Sequence, residues 1–336
     1  MPHALHPIPC AVTARRAWRL PGLPRGKLII AARWVVTVLA FWAVLRSIDL
    51  GAVVDLIGRA APLALGVAGL VVMAQFGALV LRWQLVIQIL GGKAIGFRPL
   101  ALLLGHSCLI GQVLPSSVGG DVARTVLLSR STGAAAAARS VICDRLLGFA
   151  ALALLVIPTV PVIAKMIGSV TPFLALTICA LGTMTMVALL LAYSLTYGLP
   201  WLGRHLATVA GDLRITLRSG KNGLLAMALG IGSSLLSVLL IYIIGSAIGA
   251  DLRALDCIVL VPPVLLVSAL PISLGGWGVR EGALVAAFSL VHADPAAVAA
   301  TSVMFGLTTP LVGGIAAAIA LLPGMGDIAM GSRDGG

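Results

Sequence analysis

Acidic residues are nearly missing from this sequence: Asp and Glu number 11 against 23 Lys and Arg in 336 residues, and Glu281 is the only glutamate. Charged residues of both signs reach only 10%, while 60% of the chain is hydrophobic and the mean hydropathy is +1.11. A soluble domain carries about 25% charged residues, so this scarcity excludes a soluble enzyme domain and defines an integral membrane protein. Cysteine is sparse as well. Cys10, Cys108, Cys143, Cys179 and Cys257 show no Cys-x-x-Cys or Cys/His spacing and read as small buried hydrophobes. Equally absent are His-Glu-x-x-His, a Walker-type phosphate loop and Gly-x-Ser-x-Gly. His106 and His292 stand isolated in apolar surroundings and read as satisfied structural residues. The expectation is therefore no catalytic set, no cofactor and no enzyme activity.

What the chain has is cations and long apolar runs. The net charge of +12 sits at the ends of apolar segments, where the positive-inside bias and anionic headgroups account for it. Nucleic acid is excluded as a partner. Residues 1–27 hold Arg15, Arg16, Arg19, Arg25 and Lys27 with no acidic residue, and read as a cytoplasmic tail. The run 28–45 is too long for a signal core and reads as a retained first span, with a cleaved signal peptide as the alternative.

Further spans are expected at 62–81, 146–164, 173–195, 223–250 and 299–322, giving an all-α polytopic bundle of about six full spans. Arg82 beside Trp83 reads as a snorkelling interfacial anchor, and Gln75 and Gln88 as interhelical hydrogen bonders. Lys165 falls in a short loop, and the segment with Arg204, Arg214, Arg218 and Lys221 in a cytoplasmic loop. The segments 100–114 and 257–270 are too short to cross comfortably and read as re-entrant or broken helices.

Each short segment ends in the same pattern. Leu-Pro-Ser-Ser-Val-Gly-Gly-Asp-Val-Ala-Arg at 114–124 recurs as Leu-Pro-Ile-Ser-Leu-Gly-Gly-Trp-Gly-Val-Arg at 270–280, with Pro, Ser, both glycines and Arg in register at an offset of 156. Three expected spans lie between the copies, an odd number, so the repeat is inverted, as in many secondary transporters. Were both short segments full spans, it would be parallel. In the first copy Pro115 stops a helix, and Ser116, Ser117 or Gly119 caps the start of another whose free N–H groups favour an anion. Asp121 suits that first turn and Arg124 lies at i+3 to pair with it. The second copy keeps Pro271, Ser273, Gly275, Gly276 and Arg280 and adds Gly278 and Glu281. Glu281 is expected to partner Arg280, with proton carriage as the alternative. Gly119, Gly120, Gly275 and Gly276 also suit close helix packing. Asp144 and Arg145 read as a local ion pair, an interface anchor or a substrate contact.

These motifs, with Arg82-Trp83 and Gly148 beside Asp144-Arg145, resemble the lysylphosphatidylglycerol synthase transmembrane, or flippase-like, family over roughly residues 60–322. The resemblance implies a flippase-like domain over 28–322, of the stand-alone kind, since the tail 323–336 is short and polar and no aminoacyl-transferase follows. It also implies lipid movement across the bilayer, with Pro115, Gly119, Gly120, Asp121, Arg124, Asp144, Arg145, Pro271, Gly275, Gly276, Gly278, Arg280 and Glu281 as its site. The expected function is an inner-membrane lipid translocase binding an anionic or polar headgroup, with Arg124 serving the cytoplasmic approach and Arg280 the outer one. The alternative is a non-transporting accessory protein presenting a lipid-linked intermediate to a separate biosynthetic enzyme. Membrane lipids are the expected partners either way.

Overall fold

Proline and glycine mark the limits of the helices. In the computed structural model, residues 51, 55, 56, 58–92, 94–113, 119–167, 202–269 and 277–320 are described. The expected tails, the runs 28–45 and 173–195, and the turns carrying Pro115, Ser117, Pro271, Ser273, Gly275 and Gly276 lie outside them.

Helix α1 (Pro62–Ile89) opens on a proline, whose missing N–H costs nothing at a first helical position. At 28 residues it extends about 42 Å, ample for a hydrocarbon core of about 30 Å. The short α2 (Phe97–Val113) and α3 (Gly119–Thr132) follow, and Gly133 then turns the chain with a φ of +85°, which only glycine adopts without strain. Helix α4 (Ala134–Val156) passes through a 3₁₀ turn at Ile157–Thr159, where Pro158 interrupts the ladder, into α5 (Val160–Ile167). Then come α6 (Leu202–Arg218), α7 (Lys221–Ala247), α8 (Ala254–Ser268), α9 (Val279–Phe288) and α10 (Pro295–Ala320). The Asp294 carboxylate accepts from the Ala297 N–H at 2.9 Å and caps α10.

All elements in the described residues are helical. Among the described residues, four helical runs are long and apolar enough to cross a membrane: α1, α4 continued to Ile163, α7 and α10. Leucines and isoleucines point outward from them, as Leu70, Leu224, Leu239 and Leu311 do. The chain is a polytopic membrane helix bundle.

The offset of 156 extends well beyond the motifs. It carries α1 onto α7, α2 onto α8, α3 onto α9 and α4 onto α10, to within a few residues at each start. Each half has its own buried apolar cluster. Val80, Trp83, Leu100, Leu104, Leu128 and Val141 fill the first, and Ile241, Leu260, Val264, Leu284, Phe288 and Val298 the second. The halves are joined where α1 packs along α7, α2 on α10 and α8 on α4.

Two expected loops are helical. Lys165 lies in α5, and the cationic segment from Arg204 to Arg218 forms α6. The reason for α6 is a buried acid. Asp212 is 2% exposed and accepts from Arg139 Nε at 2.8 Å, which ties one face of the segment to α4. Gln75 does bond across helices, donating to Ser237 on α7 at 2.6 Å, whereas Gln88 is exposed. His106 sits 2.7 Å from the Leu102 carbonyl of its own helix, a structural role as expected.

Replacing Asp212 with Ala removes a charge-assisted bond from a half-exposed arginine and should cost about 1–3 kcal/mol. Thermal melting in detergent should show a lower Tm for Asp212→Ala, with new protease cleavage inside 202–218, and an unchanged Tm for the exposed Arg214→Ala.

Candidate functional site

Charges that are scattered in sequence meet between the two halves. Asp144, on α4, is 2% exposed and lies between two guanidinium groups. Arg82 from α1 donates through Nε at 2.8 Å and Nη2 at 3.3 Å, and Arg124 from α3 donates through Nη1 at 3.1 Å. The other side of Arg124 approaches Asp121 at 3.1 Å, and Asp121 in turn accepts from Arg145 Nε. The result is an alternating chain, Arg82–Asp144–Arg124–Asp121–Arg145, with one more guanidinium than carboxylate. Burial falls along it, from side-chain exposures of 8% at Arg82 and 3% at Asp144 to 41% at Arg145. Trp83 stacks under Arg124 at 5.0 Å and donates to Ser140 at 3.4 Å. Among the described residues, Arg124 Nε is a buried donor without a hydrogen-bond partner.

The second half handles its arginine differently. Glu281, 1% exposed, accepts from Arg280 Nη2 at 2.6 Å and Nε at 3.0 Å, and Ser302 of α10 donates to the same oxygen at 3.2 Å. The other Glu281 oxygen accepts from the Gly278 N–H at 2.6 Å, so one carboxylate neutralises the arginine and caps α9. Gly278 holds a φ of +79° to make that turn. Trp277 and Phe305 flank the Arg280 guanidinium at 4.8 and 5.6 Å.

Both networks face one cavity of about 350 Å³. Gly120, Asp121 and Arg124 line it from the first motif, Trp277 and Arg280 from the second, and Arg82, Asp144 and Arg145 beside them, with hydroxyls from Ser107, Ser268 and Thr309. The two motif arginines, expected at opposite approaches, thus share a single space. Glycines give them room. A Cβ at Gly306 would run into the Arg280 guanidinium, and one at Gly148 would lie 3.1 Å from Arg82 Nη1. Gly111 and Gly120 let α2 and α3 touch backbone to backbone.

Of the expected site residues, Gly120, Asp121, Arg124, Asp144, Arg145 and Arg280 line the cavity, Glu281 backs Arg280, and Gly119 and Gly278 begin α3 and precede α9. The Asp121–Arg124 and Arg280–Glu281 pairs formed as the spacing predicted. Asp144 and Arg145 do not pair with each other as a local bridge; each turns to a different partner. The snorkelling reading of Arg82 and the interfacial reading of Trp83 are corrected: they are 7% and 0% exposed, because Asp144 supplies the anion that makes an interior arginine affordable. Arg82, Ser107, Ser268, Trp277 and Thr309 on the cavity, and Ser302 behind it on Glu281, were not among the expected site residues. For Arg82 the available signal was Asp144 itself, a carboxylate in an apolar run that needs a cation from another helix.

A polytopic membrane bundle, two repeated helical halves and a shared arginine-lined cavity define the class. Residues 28–317 match the family described as the lysylphosphatidylglycerol synthase TM region. The chain belongs to that family. A comparison with curated proteins finds no match.

Removing one partner of a buried ion pair costs about 3–5 kcal/mol, whereas replacing both with apolar groups is far milder. Asp144→Ala should therefore strongly reduce the yield of folded protein, and Arg82→Met with Asp144→Leu should recover part of it, as size-exclusion profiles and melting curves will report. Gly306→Ala should lower the Tm by displacing Arg280. Gly314→Ala, with open space around its Cα, should not.

Proposed function

We propose that this chain is a lipid translocase of the inner membrane, taking an anionic or polar headgroup into the shared arginine cavity and releasing it to the other leaflet. The observation that carries this reading is the meeting of Arg124 and Arg280, one from each repeat, on a single cavity. Its walls hold four arginines against Asp121 and Asp144, and Glu281 behind Arg280 leaves one positive charge in excess. A monoanionic group such as a phosphodiester balances that charge, and guanidinium forks match its oxygens. The volume suits a small headgroup rather than a whole lipid.

In this reading α2–α3 and α8–α9 are re-entrant hairpins. Helices α2 and α8, at 17 and 15 residues, reach about 25 Å or less, short of the hydrocarbon thickness. Counting α4, α7 and the span expected from the sequence at 173–195, three crossings would separate the motifs, which in this reading makes the repeat inverted and opens each half toward a different leaflet. The basic tail and the cationic α6 segment lie in the cytoplasm. Pro115, Ser117, Pro271, Ser273, Gly275 and Gly276, which lie outside the described residues, are proposed with the cavity residues as part of the site. No reaction is assigned to the chain.

The extensive ion pairing also favours a second reading, in which a rigid site holds a lipid-linked intermediate for a separate biosynthetic enzyme. Reconstitution into vesicles carrying fluorescent phosphatidylglycerol or a fluorescent glycolipid separates the two. Leaflet exchange that drops at least tenfold in Arg124→Ala and in Arg280→Ala, with protein abundance and melting retained, supports transport. Headgroup binding without exchange supports presentation, and exchange that both variants leave unchanged rejects the site.

A further inference from the structure

Beside the arginine cavity lies a second hollow, of about 260 Å³, between α1, α2 and α10. Met73, Phe76, Leu102, Val312, Ile315 and Ile319 give it an apolar wall, and Arg98 at the start of α2 is its charged residue. Met73, Ile315 and Ile319 are each about two-fifths exposed, so the hollow opens sideways, where the acyl region of a bilayer would lie. On its inner side Ala316 of α10 meets α2 so closely that Gly105 has no room for a Cβ.

The hollow and the cavity share three helices, the cavity being lined from α3, α4, α8 and α9 as well. On α1 the lining passes from Phe76 to Leu79, on α2 from Leu102 to Leu104, and on α10 from Val312 to Thr309, never more than one helical turn. An amphiphile with its charged group among the arginines therefore has an apolar surface within reach of its own chain. Resting on the translocase reading, we infer that the hollow takes an acyl chain of the same lipid molecule whose headgroup occupies the arginine cavity. The ligand class is then an anionic lipid with a compact headgroup, gripped at both ends. Burial of each CH₂ adds to affinity without adding charge, and a free headgroup would bind more weakly than the whole lipid.

The distinction from ordinary surrounding lipid is coupling between the two ends. The full chain is reconstituted in phosphatidylcholine vesicles containing phosphatidylglycerol with a diazirine on one acyl chain, irradiated, and its adducts mapped by mass spectrometry. The expected result is adducts at Met73, Phe97, Leu102 or Ile315. Arg124→Ala should lower them at least fivefold, excess soluble sn-glycerol 1-phosphate should do the same on the unaltered protein, and Ala101→Trp, which fills the hollow, should abolish them. The competition arm stands even if Arg124→Ala does not fold. Adducts indifferent to the competitor, while calorimetry shows that glycerol phosphate binds, would mean surrounding lipid and overturn this inference alone. Failure of glycerol phosphate and of phosphatidylglycerol to bind at all would overturn the headgroup site with it.

Discussion

An arginine in the interior of a membrane protein must have an anion, and here Asp144 serves two of them. Insertion of an unpaired charged residue at mid-bilayer costs about 2.5–3.5 kcal/mol, so Arg82 on α1 and Arg124 on α3 can be buried only where α4 brings that carboxylate. Much of the first half follows. Trp83 stacks beneath Arg124, Gly148 clears the space beside Arg82, and Gly230 lets α7 come against Ala151 of α4. Among the described residues Arg124 Nε has no hydrogen-bond partner.

The two halves keep the same helix order but differ in how they balance charge. The second uses an adjacent residue, Glu281, and spends its other oxygen on the Gly278 N–H, so Arg280 is locally neutral. The first spreads two carboxylates over three arginines and stays positive. The excess charge therefore lies on the first-half side of the cavity, and Trp277 lines it beside Arg280 on the other. The cavity is electrostatically asymmetric, although the helix order around it is duplicated.

The fold class, the repeat and two of the ion pairs were legible in the sequence because each depends on local spacing: apolar length, an offset of 156, and i+3 or adjacent positions. Arg82 was not legible. Its helix is apolar on all sides, so no periodicity marks which face turns inward, and its partner lies 62 residues away. The α6 segment was missed for a related reason: its cations resemble a solvated loop, and only the distant Arg139 explains why Asp212 is buried. The convergence of both motifs on one cavity likewise depends on helix packing that no local pattern encodes.

The central claim is that the two motifs build one anion site. Calorimetric titration of the detergent-purified protein with a short-chain phosphatidylglycerol, repeated for Arg124→Lys, Arg280→Lys and the double variant, tests it most directly. A shared site predicts a single binding step with one lipid per chain, weakened by either substitution, with losses that are not additive in the double variant. Two steps, each removed by only one of the substitutions, would contradict it.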